Sequence, residues 1–366
     1  MSLTREQLRQ MIRHGEIIEK QSIGPLVLEQ CDLSGAIFAN VTFSGTRLAQ
    51  AMLGECVFNA CTFIDVDLAG ADLSKSTFLT CDLHHASFLD STLDDCRMLQ
   101  TRAGGTRFSA IRAARLAFLK CDLSGCRFDA AHIAFGVFDE TPMRGADFSA
   151  ADIRKSLFYR LDLRDVCFAR AHFDSTVFTE SNLAQQALRG HTLNRCQFID
   201  TDLRHVDFTS ARLAQCNFQG ATLEAAVLDD VDAPLANFFG ANVSGAQCRG
   251  ARFPDSIWVE ARVRETDFTA ANLSGAMFQR ADVRQSRFIR ARLEGADLSY
   301  AELAGADFHE ARFERTRICH TDADADAHRG AGDAAWQGRA GVIGNDAALR
   351  AAEAWSARRD ANSLHT

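Results

Sequence analysis

Cys31-Asp32-Leu33-Ser34-Gly35, Ala71-Asp72-Leu73-Ser74-Lys75 and Ala271-Asn272-Leu273-Ser274-Gly275 are versions of one five-residue phrase. Stepping by five from Leu28 to Ile318 gives 59 positions in a single phase, and 55 of them are Leu, Phe, Ile, Val, Met or Trp. The exceptions are Ala103, Ala113, Ala233 and Cys248. Two residues ahead of each apolar centre runs a column in which 53 of 59 members are Ala, Cys, Ser, Thr, Val or Gly. The other three positions are mostly polar. A helix places residues five apart about 140° round its axis, and a plain strand sends them to opposite faces, so neither period explains the pattern. The chain must turn a corner every five residues.

The same column explains an oddity of composition. The 366 residues include 27 Phe beside 2 Tyr and 3 Trp, and 25 of the Phe stand at the repeat centres. A large ring without a polar group suits an enclosed axis. With 47% hydrophobic and 24% charged residues and a net charge of -8, nothing marks the chain as disordered or collagenous. No run approaches the roughly 18 apolar residues of a spanning helix, and the N-terminus lacks a basic segment followed by an apolar one; a cytoplasmic protein is expected.

These units resemble the pentapeptide-repeat family over residues 26–320. The resemblance implies an all-β fold, a right-handed four-sided parallel β-helix with four pentapeptides per coil. Fifty-nine units then make about 15 coils. Residues 1–25 read as an N-terminal capping helix and linker. Thr4 with Gln7 forms a capping box, Leu3 and Leu8 a hydrophobic staple, and Gly15 a stop. Residues 321–366 read as an Ala/Asp-rich flexible tail with a helix over 345–359 that caps the last coil or pairs with another chain. Asp322, Asp324, Asp326 and Asp333 imitate part of a calcium loop, but Ala327 stands where the turn needs Gly, and a solvated linker is expected.

Within the repeat, Ile111 precedes Ala113 and Val231 precedes Ala233, so volume lost at a centre is regained in the small column. Gln186 and His191 put polar groups where the pattern points inward. A local distortion or satisfied side-chain hydrogen bonds are expected around 184–195.

No catalytic triad, phosphate loop or dinucleotide fingerprint occurs, so neither an enzyme nor a cofactor is expected. Nine of the twelve cysteines (31, 56, 61, 81, 96, 121, 126, 196 and 216) stand in the small column and read as compact hydrophobes, with no Cys-x-x-Cys pair for a metal. His132 and His172 fall two coils apart, about 10 Å, too far to share an ion.

A 20-residue coil sorts the outward positions into four faces. The face centred on Phe38, Phe58, Phe78 and Met98 carries Ile37, Val57, Leu79, Leu99, Leu119, Val137, Leu157, Tyr159, Val177, Ile199, Phe239, Ile257, Val259, Met277 and Tyr300. The other faces carry few such residues. An apolar strip of this size on one side marks a partner surface, and the reading is a non-enzymatic interaction scaffold that binds a protein partner or itself.

Some members of the family resemble B-form DNA in shape and charge and protect gyrase by occupying its DNA groove. Such mimicry needs a strongly acidic column. Here 38 acidic residues meet 31 basic ones across the repeats, and the faces carry -3, 0, -1 and -3. The DNA-mimic, gyrase-binding role is the alternative. No face is net basic, so direct nucleic-acid binding is not expected. The short capping helix ahead of a long repeat also loosely resembles bacterial members encoded near type VI secretion spike components, which implies a secretion adaptor or cargo role.

Overall fold

The computed structural model describes residues 3–43, 45–319 and 321. The supposed helix 345–359 and the calcium-like acidic run lie outside them. The chain divides into two compact units at Asp202 and Leu203.

The first unit opens with α1 (Arg5–Arg13), whose capping box is present: Thr4 Oγ1 accepts from the Gln7 amide, and Gln7 Oε1 accepts from the Thr4 amide. Gly15 (φ +68) ends it, its N–H donating to Ile12 at 2.9 Å while Glu16 donates to Met11. Leu8 is fully buried and α1 lies against the first strand. Thirteen three-residue strands follow. They are β1 (Ile17–Glu19), β2 (Ile37–Ala39), β3 (Val57–Asn59), β4 (Thr77–Leu79), β5 (Arg97–Leu99), β6 (Arg112–Ala114), β7 (Ala117–Leu119), β8 (His132–Ala134), β9 (Val137–Asp139), β10 (Asp152–Arg154), β11 (Leu157–Tyr159), β12 (His172–Asp174) and β13 (Val177–Thr179).

Every pairing is parallel and offset by twenty residues, as in Ile37↔Val57 and Leu157↔Val177. One sheet runs β1-β2-β3-β4-β5-β7-β9-β11-β13 and a second runs β12-β10-β8-β6. Single-residue bridges make two further ladders, such as Ser22↔Thr42↔Thr62 and Val27↔Arg47↔Asp67. The unit is therefore a parallel β-solenoid whose longest sheet takes eight twenty-residue steps. The second unit repeats the offset in four ladders of single bridges, among them Asn237↔Ile257↔Met277 and Thr222↔Asn242↔Arg262.

The repeat chemistry accounts for many of the rungs. Where Asp or Asn precedes the centre, its carboxylate or carbonyl oxygen accepts from the amide two residues on, as in Asp72 from Ser74 (3.0 Å) and Asn272 from Ser274 (3.2 Å). That turn bends the chain and leaves a single bridge at these rungs; Asp152, which bonds the Arg154 side chain, instead opens the three-residue strand β10. At Ile37, Val57 and Val177, where a β-branched residue precedes the centre, the backbone stays extended for three residues, whereas Val27, Val227 and Ile257 make single bridges. The residue two after the centre then takes a left-handed conformation, at Gly35 (φ 71) as at Lys75 (φ 60). At Gly275 (φ +71) an added Cβ would meet the Asp255 carboxylate, so a side chain there requires that carboxylate to swing aside.

Inside, the rings stack along each face and meet edge to face between faces. Phe118, Phe138 and Phe158 stack at 5.4 and 4.7 Å, while Phe138 meets Phe148 at 82°. Trp258, fully buried, donates its indole N–H to Ser256 Oγ at 2.7 Å. The small column also bonds. Hydroxyls such as Thr46 and Thr106 donate to the carbonyl 23 residues earlier, and the thiols of Cys56 and Cys121 do the same at 3.2 Å.

Two features differ from the sequence pattern. Solenoid pairing begins at Ile17 rather than at residue 26: Ile18 and Ile23 are fully buried centres, in phase with the rest, and β1 pairs with β2. Glu16 and Gln21 occupy the small column there, which hides the repeat. The second feature concerns pairing in the first unit, which is missing beside three oversized small-column residues. No bridge joins 142 to 162 beside Leu161, 167 to 187 beside Gln186, or 172 to 192 beside His191 among the described residues. Gln186 Nε2 instead donates to the carbonyls of Leu163 (2.6 Å), Arg164 (3.0 Å) and Val166 (2.9 Å). His191 Nε2 lies 2.9 Å from the Phe168 carbonyl, where a hydroxyl ordinarily donates. Ile111 and Leu116, also large, leave pairing intact because Ala113 between them vacates axial space.

Candidate functional site

The fifteen apolar residues lie outside the core. Ile37, Val57, Phe239, Met277 and Tyr300 are exposed; Leu79, Leu99, Leu119, Val137, Leu157, Tyr159, Val177, Ile199, Ile257 and Val259 are half-buried.

In the first unit all but Ile199, which stands one coil beyond β13, fall on the nine-stranded sheet in three in-register runs. Ile37 pairs with Val57 on the flank before the centres, and Ile17, 57% exposed, extends that run to the sheet edge. The next run crosses to the flank after the centres, where Leu79, Leu99 and Leu119 stand on successive strands. The third returns to the first flank as Val137, Leu157 and Val177, with Tyr159 beside it. Arg97 and Asp139 occupy the positions the apolar runs vacate. Ile17 escaped the sequence reading for the reason β1 did.

Both edges of this face carry charges of alternating sign at the left-handed corners. On one side Lys75 meets Glu55 at 2.8 Å and Arg115 holds Asp95 with two hydrogen bonds. The bond from Lys75 lowers the Glu55 carboxyl from its ordinary value, and Arg115 does so for Asp95. Further along, Lys155 sits over the Phe135 ring at 5.3 Å. On the opposite side Lys120, Glu140, Arg160 and Glu180 form a chain with separations of 3.5, 3.6 and 2.9 Å. Arg160 also lies over the Tyr159 ring at 4.6 Å.

In the second unit Ile257 and Met277 pair in register, and Phe239 and Val259 stand on the other flank. Tyr300 is set apart, at a left-handed corner (φ 63). The cysteines of the small column are buried, whereas Cys167 is exposed. Asp152 lies between His132 and His172 in the second sheet, 3.8 Å from His132, and is bonded to Arg154. Among the described residues no cluster of three or more His, Cys, Asp or Glu is arranged to hold a metal ion, and no helix is long and apolar enough to cross a membrane.

Among curated proteins none matches the chain. Solved structures that are similar include HetL from the cyanobacterium Nostoc sp. strain PCC 7120, a pentapeptide repeat protein involved in heterocyst differentiation regulation. It is 18% identical, with 86% of this chain and 96% of that one covered and a TM-score of 0.24. QnrB1, a plasmid-mediated fluoroquinolone resistance protein, is 17% identical over 60% of this chain and 91% of its own, with a TM-score of 0.30. The family model for the pentapeptide repeat region matches residues 31–108, and that for pentapeptide repeats (8 copies) matches 176–215, 216–253, 246–285 and 286–322. With more than half its length matched and twenty-residue pairing in both units, the chain belongs to the pentapeptide repeat family.

Proposed function

We propose that this chain is a non-enzymatic protein–protein interaction scaffold, built of right-handed four-sided coils numbering about fifteen in all, that docks a protein partner or a second copy of itself through its aliphatic face. One observation carries the reading: in the first unit, in-register aliphatic runs lie between two rims of paired opposite charges. An apolar centre inside a polar rim is the anatomy of a protein interface. Strand preference alone would also favour aliphatic flanks on a sheet. The second unit speaks against that account, because its equivalent column makes only single bridges and still carries Ile257 and Met277.

The setting we infer is the bacterial cytoplasm, and an adaptor or cargo of type VI secretion is the narrower form of the reading. It predicts co-purification with spike components. The DNA-mimic, gyrase-binding alternative fits less well. Acidic side chains are largely neutralised by arginines, as in Asp82 with Arg102, Asp174 with Arg195 and Asp267 with Arg249, which breaks up the negative column that mimicry requires.

The test compares wild type with Leu99→Asp/Leu119→Asp by sedimentation velocity and by affinity purification. Loss of self-association or of a co-purifying protein, with circular dichroism unchanged, is expected. If the folded variant keeps the same oligomeric size and the same partners, the docking face is wrong.

A further inference from the structure

The opening beside Leu161 leaves a window one pentapeptide wide in the first unit. On its near side two ladder bonds remain, Leu123 donating to Pro142 at 2.8 Å and Gly125 to Arg144 at 2.9 Å, while Pro142, which has no N–H, makes no return bond and no bridge joins 122 to 142 among the described residues. Either end is closed, by Glu140 to Tyr159 (3.3 Å) and by Cys167 to Ala146 (2.9 Å). Between these points the rungs carrying 141–145 and 161–165 do not pair. Among the described residues, the amides of Met143, Gly145 and Asp162 and the carbonyls of Thr141 and Asp162 have no hydrogen-bond partner.

The cause is steric. Leu161 stands where its neighbours along the face, Thr141 and Ser181, are small, and no shortened centre beside it yields room: Phe158 and Leu163 flank it. A cavity of about 450 Å³ opens there, within the size range of ligand sites. Pro142, Met143 and Leu161 supply its apolar wall. Its charges are matched internally: Arg160 with Glu140 and Glu180, Arg144 with Asp165 at 3.7 Å, and Asp162 with Arg164 at 2.7 Å.

We propose that this window binds an extended peptide segment of another protein by strand addition, through main-chain hydrogen bonds to Thr141, Met143, Gly145 and Asp162. One lip presents an acceptor and two donors, and the other presents the donor and acceptor of a single residue, as the edge of a parallel strand does. An extended backbone supplies the complementary alternation. A small anion would face Glu140, Asp162 and Asp165, and among the described residues no cluster is arranged to hold a metal ion. The site adjoins the rim of the aliphatic docking face, with which it shares Glu140 and Arg160, but its test does not depend on that face.

Hydrogen exchange on the full chain, read by mass spectrometry, tests it. The probe is an acetylated and amidated hexapeptide of alternating Thr and Val, compared with the same peptide N-methylated at every second residue. Expected are fast exchange at the amides of Met143, Gly145 and Asp162 in the free protein, at least tenfold slowing there with the plain peptide, and none with the N-methylated one. Leu161→Ser, which restores a small hydroxyl residue, closes the ladder and weakens peptide binding at least tenfold. Slow exchange at Met143 and Gly145 without peptide, no slowing at millimolar peptide, or equal slowing by the N-methylated form each overturns the proposal. Should Leu161→Ser fail to fold, the two peptides decide on the unaltered protein.

Discussion

Phe158 lies over Phe138 with ring centroids 4.7 Å apart and planes 14° from parallel, and Phe178 continues the stack at 5.1 Å. Each ring therefore supports two others across two rungs. Phe158→Ala leaves a void that both neighbours line, and the backbone ladder prevents its collapse. Thermal and denaturant unfolding of the variant should show a loss of about 3–5 kcal/mol. A loss under 1 kcal/mol would mean that the axis repacks freely.

Gln186 fills the small column with an amide that serves three carbonyls. Gln186→Leu keeps the bulk and removes the donors, which leaves buried acceptors unmet at a cost of about 1–3 kcal/mol. Denaturant melts read the difference. A variant as stable as wild type would show that the bulk alone, and not the bonding, sets the local geometry.

Burial pushes the thiol of Cys56 up to about 12, that of Cys121 up to about 11 and that of Cys196 up to about 12. Thiolate is scarce at such sites. Iodoacetamide at pH 8 is expected to modify the exposed Cys167 in the native protein and these three only after unfolding. Peptide mapping of the labelled protein checks it, and labelling of Cys56 or Cys121 in the native protein contradicts it.

The charged rim predicts a pH effect of definite sign. Glu55 and Asp95 have carboxyls lowered in the folded state from ordinary values of 4.5 and 3.8, by Lys75 and Arg115 respectively. The stability they contribute is present above those ordinary values and is lost as pH falls through the lowered folded ones. The melting temperature should drop below about pH 4.5, and Lys75→Met/Arg115→Met should flatten that drop. Added salt at pH 7 should weaken the same pairs. An identical acid profile for the double variant would remove the rim from the account.

Much of the fold is legible because the twenty-residue circuit writes its period into Phe and Ala columns, and Thr4, Gln7 and Gly15 announce the capping helix. Ile17 and Ile18 were hidden for a physical reason: Glu16 and Gln21 replace the small residues by which a rung is recognised. The apolar face could be sorted by counting, yet its division into runs on alternate flanks depends on which positions Arg97 and Asp139 occupy in register. Leu161 carried the signal of the open window. Its aliphatic character let it pass as one more inward residue, while the polar Gln186 and His191 stood out.

Pairing at a constant offset of twenty has an evolutionary corollary. A single inserted or deleted codon within the repeats would turn every later centre out of the core, and a whole pentapeptide would keep the centres inward but move each later residue to the next ladder. Tandem duplication of sixty nucleotides, one full circuit, keeps both the inward centres and the ladder that each later side chain joins.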